Sequence, residues 1–137
     1  MKIGIDLHGV LDTYPEIFKP MLRIFRKAGI DYCIVSGPSA EKVEQELYKT
    51  GYGDEVHSIW IYSVVDYLTI KGVEFDMTDP ENPWCDDNIW WDAKARICKE
   101  YKIDYLIDDS EKYRPAFDLI RARFIHVSEI VDNGNDN

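Results

Sequence analysis

The amino-acid sequence predicts a three-layer α/β fold: an open, mainly parallel sheet of about five strands with helices on both faces. Short apolar segments alternate along the chain with segments of helical period, which is typical of βαβ units with right-handed crossovers. The 137 residues, 45% of them hydrophobic, suffice for the core of one domain. We therefore expect a single domain over residues 1–131, with a small insertion at about 64–90 and a polar tail at 132–137.

The first predicted helix follows Thr13 and Glu16, which have the spacing of a capping box, and ends at Gly29. Pro20 inside its pattern predicts a kink or a late start. The other predicted helices cover residues 39–49, 88–100 and 113–122. The predicted strands are residues 2–7, 31–36, 57–62, 104–108 and 123–127.

The insertion at 64–90 breaks the alternation of strands and helices. Residues 67–77 are interpreted as a short hairpin or an extended arm, and residues 79–88 as a loop rich in Pro, Asp and Asn. A segment of this length is too short for a second domain.

The chain has 26 acidic and 16 basic residues, a formal net charge of −10. Such a surface repels a polyphosphate backbone, so we expect no bulk nucleic-acid binding; a divalent cation and a few placed bases would still admit a phosphorylated substrate. Met1-Lys2 leads directly into a strand and no apolar run reaches a bilayer's thickness, so we expect a cytoplasmic protein without membrane contact. Three cysteines without Cys-x-x-Cys spacing indicate buried or incidental thiols.

Polar residues follow three of the predicted strands at their carboxyl ends, where an open parallel sheet binds ligands. Acidic side chains from distant parts of the chain would meet there, which is costly unless a cation or a proton lies between them. A lysine in the first turn of the helix before the fourth strand would add a positive charge. The candidates are Asp6, His8, Gly9, Ser36, Gly37, Lys94, Asp108 and Asp109.

Four segments, in order along the chain, resemble the motifs of the haloacid dehalogenase superfamily. Asp6-Leu-His-Gly-Val-Leu-Asp12 is similar to its first motif, Asp-x-Asp-Gly-Thr/Val-Leu, and Ile34-Val-Ser36-Gly37 to its second. Lys94 suits the third motif and Leu106-Ile-Asp108-Asp109 the fourth. The resemblance implies the Rossmann-like fold of that superfamily and a magnesium-dependent phosphohydrolase acting on phosphomonoesters.

The resemblance also implies the nucleophile and the metal ligands. Asp6 would attack phosphorus and form an aspartyl-phosphate, which splits one difficult step into two. Mg²⁺ would be held by Asp6, the backbone carbonyl of His8, and Asp108 or Asp109, because this ion prefers oxygen ligands.

The phosphate group would be received by the Ser36 hydroxyl and backbone N–H groups of Gly37 and Gly9, as the resemblance implies. Lys94 would offset charge that builds up in the transition state. The substrate would be a phosphorylated small molecule or a phosphorylated macromolecular end. A nucleotide is one such small molecule.

His8 stands where the family has its second aspartate, the residue that protonates the leaving oxygen and then activates water. An imidazole can do both near neutral pH. The alternative hypothesis is an impaired module that binds Mg²⁺ and a phosphorylated ligand without efficient turnover. A receiver-like phospho-acceptor domain is disfavoured. In such a domain the acidic pair follows the first strand and the lysine follows the last, and in this sequence the order is reversed.

The small insertion predicts an open crevice, which in this family accompanies macromolecular substrates or a neighbouring subunit that closes the site. Trp60, Trp84, Trp90 and Trp91 would suit a core, a substrate platform or a contact in a homo-oligomer. His57 and His126 are interpreted as strand histidines without a catalytic role.

Overall fold

The computed structural model describes residues 1–56 and 59–131, and these form a five-stranded parallel sheet in the order β3-β2-β1-β4-β5. Strands alternate with helices along the chain, so the prediction of an open, parallel α/β sheet is confirmed. The strands are β1 (Lys2–Ile5), β2 (Asp31–Ser36), β3 (Ile61–Ser63), β4 (Tyr105–Asp108) and β5 (Arg123–His126).

Among the described residues, five α-helices and three short segments of other helical type accompany the strands. A single π-type turn, Leu7–Leu11, follows β1, and 3₁₀ helices span Glu111–Leu119 and Val127–Glu129. The α-helices are α1 (Pro15–Ala28), α2 (Ala40–Lys49), α3 (Gly53–Val56), α4 (Val64–Ile70) and α5 (Asp87–Glu100).

Both faces of the sheet are buried, as the side chains of β2 show. Cys33 and Val35 point into a core formed with α4, α5 and the 3₁₀ helix after β4. Tyr32 and Ile34 alternate with them and point into a second core formed with α1, α2 and α3. The connections change face where β1 lies beside β4, and a crevice opens beyond the carboxyl ends of strands at such a point.

The first helix differs from its prediction. Thr13 does not cap it: the Thr13 hydroxyl donates to Asp12 Oδ1 (2.9 Å), and α1 begins at Pro15, where a missing N–H costs nothing. Pro20 lies inside the helix, so the predicted late start is wrong. The helix ends as predicted at Gly29, which has φ +72°.

The interpretation of residues 67–77 as a hairpin or an extended arm is wrong for residues 67–70, since α4 covers Val64–Ile70. The Ser63 hydroxyl caps this helix by accepting the Asp66 N–H (3.0 Å), and Val64, Tyr67 and Leu68 have the spacing of one buried helical face. The rest of the insertion is a loop closed by an antiparallel bridge between Asp76 and Trp84.

Other boundaries shift by a few residues. β3 begins at Ile61, and His57 lies outside the described residues. The helix expected over 113–122 is the 3₁₀ segment Glu111–Leu119, which contains Pro115, a residue that disfavours a regular α-helix interior. The polar tail at 132–137 also lies outside the described part of the chain.

Within the described ranges, no helix combines the length and the apolar character that crossing a bilayer requires. Cys33, Cys85 and Cys98 are all free and buried, as predicted.

Candidate active site

Asp6 lies directly after β1, where the sheet places it beside the end of β4. Its backbone N–H donates to the carbonyl of Ile107 (3.0 Å), which continues the ladder between the two strands by one residue. The Asp6 carboxylate Oδ1 accepts the N–H of Leu7 (2.9 Å), and the side chain is buried. The first candidate carboxylate is therefore fixed next to Asp108, the last residue of β4.

Lys94 joins these two acids. Its Nζ lies 2.6 Å from Asp108 Oδ2 and 3.4 Å from Asp6 Oδ1, and Asp6, Lys94 and Asp108 are each less than 10% exposed. The Tyr113 ring covers the ammonium group at 4.5 Å. The expectation that Lys94 lies in the first turn of its helix is wrong: α5 begins at Asp87, and the middle of the helix carries Lys94 over the sheet.

Asp109 completes an acidic cluster with Asp6 and Asp108. Each of the three offers a carboxylate oxygen, and these oxygens all lie within 4.8 Å of one another. Carboxylate oxygens are the ligands that Mg²⁺ prefers, so the residues present fit this ion.

Gly9 makes room for Asp109. Gly9 has φ +80°, a conformation that favours glycine, and a Cβ at this position would lie 2.0 Å from Asp109 Oδ2. Its N–H, predicted to receive a phosphate oxygen, donates to Asp12 Oδ1 (2.8 Å). The structure thus gives Gly9 a steric role, and its phosphate contact stays a prediction.

Burial and mutual repulsion shift the pKa values of the acids in the cluster. Burial raises the pKa of Asp6 to about 7; Lys94 opposes this shift and Asp108 adds to it. Burial and the neighbouring Asp108 also raise the pKa of Asp109. Burial alone would lower the pKa of Lys94, but the carboxylates of Asp6 and Asp108 raise it above its ordinary value, so Lys94 stays protonated. Three acids thus share one ammonium group, and a divalent cation would relieve the remaining repulsion.

Ser36 ends β2 beside Asp6. It is fully buried, close enough to Asp6 for its hydroxyl to lower the pKa of that carboxyl by a smaller amount, yet its Oγ has no partner at hydrogen-bonding geometry among the described residues. The carbonyl of the next residue, Gly37, accepts the N–H of Val65 (3.1 Å). A buried hydroxyl without a hydrogen-bond partner destabilises the folded protein, and a bound ligand could supply that partner.

The His8 side chain contacts Glu46 on α2. Its Nε2 lies 2.5 Å from Glu46 Oε2 on α2, and about half of the imidazole is exposed. Glu46 was not predicted from the sequence, because a helix surface offers many similar acids and only the folded chain selects one.

His126 and Tyr113 are two further site residues that sequence reasoning missed. His126 lies at the end of β5, as predicted for a strand histidine, but its Nε2 donates to the backbone carbonyl of Asp109 (2.9 Å) while Nδ1 accepts the N–H of Ser128 (3.1 Å). It therefore holds the acidic loop in place. Its position at a strand end was the available signal, while nothing in the sequence distinguished Tyr113 from other aromatic residues.

The tryptophans have different environments. Trp90 is buried on α5, and its ring packs against Gly37, where an added Cβ would approach it to 3.1 Å. Trp60 is 70% exposed and precedes β3, at the opposite edge of the sheet from the acids.

The structure therefore brings Asp6, Ser36, Lys94, Asp108 and Asp109 together and leaves the His8 side chain at the rim. Models of protein families, curated proteins and solved structures were all compared with the chain, and none of them matches it.

Proposed function

We propose that the protein is a magnesium-dependent phosphomonoesterase of the haloacid dehalogenase type, with Asp6 as its nucleophile. The observation that carries this proposal is the buried Lys94, bound between Asp6 and Asp108 beside the third carboxylate of Asp109. The order of the four motif segments along the chain and the parallel sheet that joins them support it.

The arrangement at Asp6 suits attack on phosphorus. Leu7 and Lys94 both contact Oδ1, so Oδ2 is the oxygen left to react. In the first step Oδ2 forms a bond to phosphorus, the bond from phosphorus to the ester oxygen breaks, and the leaving alkoxide takes a proton from solvent water. In the second step water attacks phosphorus and loses a proton to solvent, the bond between phosphorus and Asp6 Oδ2 breaks, and inorganic phosphate is released.

Two neighbouring groups would stabilise the negative charge of the transferring phosphoryl group. The Ser36 hydroxyl would donate to a phosphoryl oxygen and so gain the partner it lacks among the described residues. The Lys94 ammonium would lie beside the equatorial oxygens. Mg²⁺, held by the carboxylates of Asp6, Asp108 and Asp109, would supply further charge neutralisation when bound.

A panel of phosphate monoesters, assayed for released phosphate with and without Mg²⁺, tests this proposal. We expect magnesium-dependent release from the native protein and none from Asp6→Asn. Asp31→Asn is the matched control, because Asp31 is exposed at the start of β2. Release that survives Asp6→Asn would reject Asp6 as the nucleophile.

One observation favours a second candidate, a module that binds Mg²⁺ and a phosphorylated ligand but turns over poorly. His8 Nε2 is hydrogen-bonded to Glu46, so the imidazole would have to leave this partner before it could protonate the leaving oxygen. This candidate predicts magnesium-dependent binding of beryllofluoride without hydrolysis, and restored hydrolysis in His8→Asp. Side-by-side assays of the native protein and His8→Asp separate the two functions.

A further inference from the structure

Trp84 is a partly exposed aromatic residue held firmly at the start of α5. Its backbone forms both hydrogen bonds of the bridge to Asp76, at 2.6 and 3.1 Å, and its indole Nε1 donates to Asp87 Oδ1 (3.1 Å). The side chain is nevertheless 41% exposed. A large ring that is held by one hydrogen bond on a backbone held by two more, and that is still open to solvent, is preorganised for contact with another molecule.

The exposed ring is continuous with the phosphate site through packed aromatic residues. The Trp84 and Trp90 rings lie 5.1 Å apart, and Trp90 packs against Gly37, the residue after Ser36. On the other side, the Trp91 ring lies 4.8 Å from Tyr113, which covers the Lys94 ammonium group. Helices that join parallel strands run antiparallel to them, so α5 begins at the edge of the sheet that carries Asp6.

The charge around Trp84 restricts what can lie against it. Residues 72–93 contain seven acidic residues and no Lys, Arg or His. Lys42 contacts Glu81 (3.5 Å) and Lys112 lies over the Trp91 ring (5.1 Å), so the acids outnumber these two cations and a second phosphate group on the substrate would be repelled there. The acids are Glu74, Asp76, Asp79, Glu81, Asp86, Asp87 and Asp92.

We infer that Trp84 forms one wall of a subsite for the leaving group, and that the substrates are monophosphate esters whose alcohol carries a flat, unsaturated ring and no second phosphate. Trp84 would stack on that ring while the phosphoryl group reaches Ser36 and Lys94. This inference rests on the proposed phosphomonoesterase for the position of the phosphate group.

Benzyl phosphate and cyclohexylmethyl phosphate test this inference. Both are esters of primary alcohols with equal charge and similar size, and only the benzyl group has a flat ring. We expect kcat/KM to favour benzyl phosphate by about 3- to 10-fold, the range that an aromatic contact supplies. Trp84→Leu should abolish the preference, while Trp84→Phe should retain most of it. Trp60→Leu, at the opposite edge, is the matched control.

Binding of the corresponding phosphonates with Mg²⁺, followed by the indole N–H resonance of Trp84, gives a readout that needs no turnover. Tighter binding of benzylphosphonate, with loss of the preference in Trp84→Leu, would uphold the subsite even if no ester were hydrolysed and the phosphatase proposal failed. Equal affinities in the native protein, binding of neither phosphonate, or a preference that survives Trp84→Leu would overturn the inference. If the leucine variant does not fold, a shift of the Trp84 indole N–H resonance on binding of benzylphosphonate upholds the inference, and no shift overturns it.

Discussion

Lys94 and Asp108 form a buried ion pair, with 2.6 Å between Nζ and Oδ2 and almost no exposed surface on either side chain. Asp6 contacts the same ammonium group at 3.4 Å. One helix residue thus fixes two acids that are about a hundred positions apart in sequence. Breaking a buried pair leaves an uncompensated charge, so this contact affects both the stability and the chemistry of the site.

Replacing Lys94 tests its part in folding. Lys94→Met leaves Asp6 and Asp108 buried without their cation, and we expect a loss of about 3–5 kcal/mol in the free energy of unfolding. Urea denaturation of the metal-free protein measures it. Lys99→Met, on the exposed side of the same helix, should change stability by less than about 0.5 kcal/mol. Equal effects of the two substitutions would contradict the central position of Lys94.

Asp6 should make the stability of the metal-free protein depend on pH. Burial raises its pKa from 3.8 to about 7, so between these values the folded state keeps a proton that the unfolded chain has released. The contribution of Asp6 is therefore fully present below about pH 4 and is lost as pH rises through about 7.

An asparagine side chain does not ionise, so the Asp6→Asn variant should not lose stability in this pH range. We expect the variant to be more stable than the native protein at mildly alkaline pH, by at most about 4 kcal/mol, and the difference to shrink towards acidic pH. Urea denaturation over a pH series measures this, with Asp31→Asn as the control. A native protein that gains stability relative to Asp6→Asn as pH rises would contradict the assignment.

Alanine variants at Gly9 and Gly29 form a matched pair that tests the contribution of Gly9 to Mg²⁺ binding. Both have positive φ, so alanine strains the backbone at either position, but a Cβ meets Asp109 only at Gly9 and meets nothing within 4 Å at Gly29. Gly9→Ala should weaken Mg²⁺ binding by about 10-fold or more, as displaced supporting groups do at metal sites, while Gly29→Ala should not. Isothermal titration calorimetry provides the affinities, and equal weakening in both variants would show that backbone strain is the cause.

The buried thiols should resist alkylation in the folded protein. Burial raises the pKa of Cys33 and of Cys98 to about 12, so almost no thiolate is present at neutral pH. Iodoacetamide should label both residues slowly in the native protein and rapidly in urea, as followed by peptide mass spectrometry. Rapid labelling of native Cys98 would show that the core around α5 opens.

The sequence was informative wherever a strand end carried the chemistry. Asp6, Ser36 and Asp108 were found from apolar segments that stop at a polar residue, because strand order then places them at one edge. Lys94 was found from motif order, while its placement in the first turn was a miscount, because Lys94 lies beyond the first turn whether the helix begins at residue 88 or at Asp87.

Contacts that depend on packing between elements were not predictable. The partner of His8 is Glu46, which lies 38 residues later, and the choice among the acids of α2 depends on how that helix packs. α4 was missed although Val64, Tyr67 and Leu68 have helical spacing, because aromatic and β-branched residues in this segment also favour strands. Gly9 was expected to bind phosphate, and only the folded turn shows that Asp109 occupies the space beside it.

Detection of a phosphorylated Asp6 is the most direct test of the proposed chemistry. The native protein is mixed with Mg²⁺ and benzyl phosphate, quenched in acid during turnover and digested for peptide mass spectrometry. We expect one phosphoryl group on the peptide that contains Asp6, and none in Asp6→Asn. A phosphoryl group on another residue, or magnesium-dependent phosphate release by Asp6→Asn, would contradict Asp6 as the nucleophile.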